Sequence, residues 1–235
     1  MPDFAGSQVV VTGGTGALGT AVVGALRAAG AECHVTNFAA HELAAYAHRN
    51  DPLVHVTTGV DLADEVAVRR YYEALPSLWA SVHLAGGFAM APVAEISGAD
   101  FEAQFRMNAL SCFLCSAAAV RAIRKSGRGG GRIVNVSARP ALEPRSGAGM
   151  IAYTASKAAV AALTQAMGEE LVAEDIWVNA VAPSTLDTPA NRRSMPDAAH
   201  DRWVHPDALA QVIAFLASPD NKVTRGAVVP VYGGS

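Results

Sequence analysis

The chain has 235 residues, 51% of them hydrophobic and 17% charged, which is enough apolar material for a sizeable buried core. The formal net charge of −3 gives no electrostatic ground for a nucleic-acid partner, and no apolar run reaches the roughly 18 residues a membrane span needs. Residues 1–7 carry no basic segment followed by an apolar stretch, so no export signal is expected and the reading is cytoplasmic.

Val9-Val10-Val11 is a short β-branched run ending in glycines, and residues 17–29 then have helical composition. The pattern recurs along the chain. Residues 31–36 read as a second strand before a helix over 41–49, and 53–57 as a third strand before a helix over 64–75. Residues 79–84 form a fourth strand closed by Ala85-Gly86-Gly87, followed by a long helix over 100–125. A fifth strand over 132–137 precedes a helix over 152–173, and a sixth over 177–181 leads into an irregular, Pro-rich stretch over 183–206. A helix over 207–217 and a last strand over 228–232 end the pattern. Strands alternating with helices predict an α/β protein, a single doubly wound parallel sheet of about seven strands with helices on both faces. No linker or repeat divides the chain, so residues 1–235 are expected to be one domain.

The run Thr12-Gly13-Gly14-Thr15-Gly16-Ala17-Leu18-Gly19 lies between the first strand and the first helix. Glycines there let the backbone turn sharply and approach a pyrophosphate, which the free N–H groups and positive dipole end of the helix would bind. No Gly-Lys-Ser/Thr ending follows, so a P-loop nucleotidase is disfavoured. Further on, Tyr153 and Lys157 stand four residues apart in an Ala-rich helical stretch, on one face and one turn apart. A free phenol, with a pKa near ~10, is a poor proton carrier at neutral pH, and a cation beside it is expected to lower that value. The phenol then becomes usable as a general acid or base.

Three cysteines, Cys33, Cys112 and Cys115, are too few for a disulfide framework. Cys112 and Cys115 have the spacing of a metal half-site, but no second pair completes it, and no metal is expected. His83, beside the glycines that close the fourth strand, reads more simply as a packed histidine than as a pocket residue.

With these pieces in order, the chain resembles the short-chain dehydrogenase/reductase family over nearly its whole length. The matching residues are the glycine turn, Asp61-Leu62, Leu84-Ala85-Gly86-Gly87, Asn108, Ser137, Tyr153 with Lys157, Val178-Asn179-Ala180-Val181-Ala182-Pro183, and Thr188. The resemblance implies hydride transfer between NAD(P)(H) and a carbonyl or alcohol carbon of a small molecule, with Tyr153 as general acid or base. It implies that Lys157 lowers the tyrosine pKa and holds the nicotinamide ribose, that Asn108 holds a water in a proton path, and that Ser137 polarises the carbonyl. The implied cofactor contacts are Gly13, Thr15, Gly16, Ala17, Leu18, Gly19, Asn37, Asp61, Leu62, Ala85, Gly86, Gly87, Tyr153 and Lys157. Pro183, Ser184, Thr185 and Thr188 follow at the nicotinamide carboxamide. Residues 184–206 fall where the family carries a mobile substrate lid, with Arg192, Arg193, Met195 and Trp203 in it. The small-residue helices around Ala117 and Ala161 fall where family members pair into dimers or tetramers.

Departures from the family pattern leave alternatives. Aligning the fifth strand puts Ala138 at the usual serine position and Ser137 one residue early, and alternate strand residues face opposite sides. Dihydropteridine reductases lack that serine and resemble this chain around Gly19 and Tyr153, so a Tyr/Lys site reducing a C=N or quinonoid substrate is a second reading. A catalytically silent nucleotide-sensing protein is a third. At the end of the second strand stands Asn37-Phe38, neither an acid for the adenosine 2′-hydroxyl nor an arginine for a 2′-phosphate. Absence of the acid removes a repulsion, and the reading inclines to NADP(H).

Overall fold

The computed structural model describes residues 3–38 and 40–235. Met1 and Pro2, the first two positions of the N-terminal reading, lie outside them, as does Ala39. Seven parallel strands form one sheet in the order β3-β2-β1-β4-β5-β6-β7. They are β1 (Gln8–Thr12), β2 (Glu32–Asn37), β3 (Val54–Thr58), β4 (Ala80–His83), β5 (Gly131–Val136), β6 (Ile176–Pro183) and β7 (Val228–Val231). The expected doubly wound α/β architecture is present. Val9, Val10 and Val11 are all fully buried, which marks β1 as a central strand covered on both faces. Pro230 is tolerated because β7 is an edge strand with one neighbour.

The helices are α1 (Ala17–Ala28), α2 (Ala40–Ala45), α3 (Glu65–Glu73), α4 (Gly98–Phe105), α5 (Ser111–Ser126), α6 (Arg139–Leu142), α7 (Ile151–Glu170), α8 (Pro189–Ser194) and α9 (Pro206–Ala217). Alternation along β1 separates two cores. Val9 and Val11 pack with Val22 and Leu26 of α1 and with Leu209 and Ile213 of α9. Val10 faces the other side, with Val68 and Tyr72 of α3 and Leu114 and Ala118 of α5. Cys112 and Cys115 are free thiols inside α5.

Three of the differences from the sequence reading bear on the site. The helix expected over 41–49 ends at Ala45, where the Arg49 guanidinium donates to the Ala44 carbonyl at 2.6 Å. The long helix expected over 100–125 is broken into α4 and α5 by a π-helical turn, Arg106–Leu110, which contains Asn108. Such a turn has no simple sequence signature and often accompanies functional sites. The stretch 183–206 is more ordered than its prolines suggested. It holds α8, capped by Thr188 accepting from the Asn191 N–H at 3.2 Å, and a bridge between Leu186 and Val204.

The order of the strands reverses between β1 and β4, and an open α/β sheet binds ligands at such a switch point, outside the carboxyl ends of the strands. Here those ends are tied together by threonines. Thr12 Oγ1 accepts from the Ala85 N–H at 3.3 Å, its carbonyl accepts from the Leu84 N–H at 3.2 Å, and Thr36 Oγ1 accepts from the Gly13 N–H at 3.3 Å.

Candidate active site

The glycine turn leaves β1 and enters α1 with no side chain capping the helix, so its first N–H groups point at the switch point without a side-chain acceptor. Gly13 takes a left-handed φ of 65°. Gly19 is demanded by packing, because a Cβ there would lie 2.4 Å from the Gly13 carbonyl oxygen. A phosphate is the ligand that open N–H groups at a glycine-cradled helix start fit, so Gly13, Gly16, Ala17, Leu18 and Gly19 could hold a dinucleotide pyrophosphate. Thr15 is buried beside them. Its hydroxyl accepts from the Asn37 amide at 2.7 Å and donates to Glu42 at 2.7 Å, which fastens the turn to the end of β2 and to α2. Asp61 lies beyond β3, exposed, accepting from the Ala63 N–H at 2.8 Å with Leu62 half-buried between them.

Tyr153 stands in the first turn of α7 and Lys157 in the second, as their spacing required. Their electrostatics differ from the expectation. The Lys157 ammonium is buried and donates to the Val136 carbonyl at 2.8 Å, and burial lowers its pKa to about 8. The Tyr153 phenol is pushed up to about 12 by burial alone, with no lowering from the lysine. The lysine has turned to the end of β5, and the Phe88 ring meets Tyr153 edge-on at 5.0 Å. Near neutral pH the phenol therefore carries its proton and the amine is largely ammonium. That is the state a general acid needs.

Asn108 is 1% exposed, and its amide is fully engaged with protein. It accepts from the Gly87 N–H, donates to the Gly87 carbonyl and donates to Ser156 Oγ, each at 3.0 Å. Ser156 Oγ in turn donates to the Tyr153 carbonyl at 2.8 Å. The side chain thus clamps the loop after β4 onto the start of α7. Gly86 is a glycine for the same reason: a Cβ there would stand 2.6 Å from Asn108 Oδ1 and 3.3 Å from Lys157 Nζ.

Ser137 is placed away from the role expected of it. It is 1% exposed, and its hydroxyl donates to the Lys157 carbonyl at 2.8 Å, inside the packing of β5 against α7. The next residue along the extended chain faces the other way and is Ala138, which has no hydroxyl. Ser184 is likewise turned aside, donating to the Tyr232 carbonyl at 2.7 Å, and the Ser184 N–H continues the ladder to Val231. Pro183 is buried at the end of β6, with Thr185 and Thr188 half-buried on the chain that leaves it. Arg192 is held by Asp187 at 2.5 and 2.8 Å.

His83 is the packed residue that its sequence position suggested. It lies 4% exposed between Ser81 Oγ at 2.9 Å and Asn135 Oδ1 at 2.8 Å, and burial lowers its pKa to about 4. Sequence reasoning missed Glu42 and Phe88. An aromatic directly after Gly86-Gly87 was a usable signal for Phe88, whereas nothing local marks Glu42. Among the described residues no group of three or more His, Cys, Asp and Glu side chains is placed to hold a metal ion, and no helix is long and apolar enough to cross a membrane.

The sheet order, the open glycine turn and the Tyr/Lys helix together define a dinucleotide-fold oxidoreductase. The sequence profile described as short chain dehydrogenase matches residues 7–199, and the chain belongs to that family. It is 32% identical over 177 residues to the uncharacterized oxidoreductase YohF of Escherichia coli (strain K12), a match covering 72% of this chain and 69% of the relative. It is also 32% identical over 245 residues to the galactitol 2-dehydrogenase of Rhizobium johnstonii, covering 97% and 95% of the two chains. A solved short-chain dehydrogenase/reductase mutant from Serratia marcescens superposes with a TM-score of 0.86 at 27% identity, over 98% of each chain.

Proposed function

We propose that this oxidoreductase is an NAD(P)(H)-dependent enzyme that reduces the carbonyl carbon of a small molecule, with the alcohol as product. The observation that carries the reading is the placement of Tyr153 and Lys157 one helical turn apart on α7, with Lys157 Nζ bonded to the Val136 carbonyl at the end of β5 and Phe88, from the loop after β4, against the Tyr153 ring. A bound nicotinamide would supply the hydride. Tyr153 Oη would donate the proton to the substrate oxygen as negative charge develops there, and the Lys157 ammonium would hold the nicotinamide ribose. Gly13, Thr15, Gly16, Ala17, Leu18 and Gly19 would hold the pyrophosphate end, with Asn37, Asp61 and Leu62 around the adenosine. Ala85, Gly86, Gly87, Pro183, Thr185 and Thr188 would line the nicotinamide end, and Asn108 would position Tyr153 through Gly87 and Ser156. The reading includes one domain with residues 184–206 as its substrate lid, a cytoplasmic enzyme, and a homotetramer or homodimer.

A second reading has a specific observation in its favour. The Ser137 hydroxyl is bonded inward and the next residue is Ala138, so the end of β5 offers no hydroxyl to polarise a carbonyl, and a Tyr/Lys site acting on a C=N or quinonoid substrate is the alternative. The test is NADH and NADPH oxidation against a panel of aldehydes, ketones and a quinonoid dihydropterin, with wild type and Tyr153→Phe side by side. Loss of the phenolic proton should lower kcat by roughly 10²–10⁴-fold on the true substrate while dinucleotide affinity is kept. Equal turnover by the two proteins would overturn the mechanism. Activity confined to the quinonoid substrate would select the second reading.

A further inference from the structure

From the position of Glu42 we infer that this chain selects NAD(H) over NADP(H), through a carboxylate supplied by α2 and not by the end of β2. The inference rests on the dinucleotide reading of the glycine turn and deepens it. The sequence inclined the other way, because β2 ends in Asn37 with no acid after it. Folding supplies the acid from five residues further on.

One Glu42 oxygen accepts from the Thr15 hydroxyl at 2.7 Å. The other lies 3.9 Å from where a Cβ on Gly16 would stand, so it is placed directly over the residue that caps α1. Thr15 is itself fixed by the Asn37 amide at 2.7 Å, which makes the aim of the carboxylate a property of three elements at once. With phosphates at the start of α1, the adenosine ribose falls at the end of β2 beside this turn. The half-exposed carboxylate would accept from a ribose 2′-hydroxyl there and would repel a 2′-phosphate, a dianion in the same space.

Among the described residues Glu42 forms no ion pair. Of the basic groups that follow it, Arg49 is bonded to the Ala44 carbonyl and His48 to the Thr20 carbonyl at 3.0 Å. A 2′-phosphate site needs an arginine or lysine free to pair with it, and these positions do not provide one.

The test is fluorescence titration of the full chain with NADH and with NADPH, repeated by thermal shift. Wild type should bind NADH at least roughly tenfold more tightly than NADPH, and Glu42→Gln should bring the two affinities to within about threefold. Glu42→Asp keeps the charge but withdraws it from the ribose, so it should weaken NADH binding while still excluding NADPH. Equal affinities in wild type, or an unchanged ratio in Glu42→Gln, would overturn the inference and leave the oxidoreductase reading standing. Binding of neither dinucleotide would remove both.

Discussion

Ser137 Oγ donates to the carbonyl oxygen of Lys157 at 2.8 Å, so the serine holds the helix that carries the lysine and does not face the reacting atoms. Removing it takes one hydrogen bond from a carbonyl that keeps its partner within α7, which costs about 0.5–1.5 kcal/mol. Ser137→Ala should therefore melt earlier in urea while kcat stays within about threefold of wild type, a difference too small for a lost transition-state contact. A large fall in kcat with unchanged stability would put the hydroxyl back among the reacting groups.

Gly86 is the point at which the loop after β4 meets both Asn108 and Lys157. The added methyl of Gly86→Ala would collide with Asn108 Oδ1, and that amide cannot swing away without releasing Gly87 and Ser156. Overpacking of this kind costs about 1–3 kcal/mol. The expected outcome is a less stable protein with kcat reduced by about tenfold or more, because small displacements of reacting groups are expensive. Wild-type kinetics in this variant would show that the clamp on α7 has no bearing on the chemistry.

How much of this was legible in the sequence depends on distance along the chain. Val9-Val10-Val11 and the glycines after it revealed a buried strand entering a dinucleotide turn, because both signals are local. Tyr153 and Lys157 were found the same way, since helical periodicity alone puts them on one face. Their pKa values were not, because these depend on where the lysine turns and on Phe88, a residue in a separate loop. Ser137 and Ala138 show the limit within a strand: a one-residue uncertainty in register decides which side chain reaches the cleft. Glu42 was out of reach, since its place over Gly16 is set by how α2 folds beside β2 and meets the glycine turn.

His83 supplies a pH dependence of stability whose sign can be worked out. Its folded value of about 4 lies below the ordinary 6.5 because burial disfavours the imidazolium. Between those two values the unfolded chain takes a proton that the folded protein refuses. Stability is therefore fully present above pH 6.5 and falls on acidification, at about 1.4 kcal/mol per pH unit until the folded group titrates. Urea unfolding across that window should show a shallower acid limb for His83→Gln than for wild type, whatever the absolute stability of the variant. Parallel limbs would mean that other groups carry the acid sensitivity.

Phe88 meets Tyr153 edge-on at 5.0 Å and is itself 57% exposed, so it shields the phenol on one side while its other side is open to a ligand. Such an aromatic pair is worth about 1 kcal/mol beyond the area it buries. Phe88→Ala should admit water to Tyr153 and let its pKa fall from about 12 back toward the ordinary 10, since burial is what raised it. Ultraviolet titration of Phe88→Ala against Phe88→Ala/Tyr153→Phe isolates this phenol from the other tyrosines. The same variant should raise KM more for substrates with an aromatic or branched apolar group beside the carbonyl than for small polar ones, because Phe88 and the exposed Met90 are apolar groups on the loop next to Tyr153. If the phenol titrates unchanged, Phe88 is not what keeps water from Tyr153, and the apolar wall of the site must be sought elsewhere.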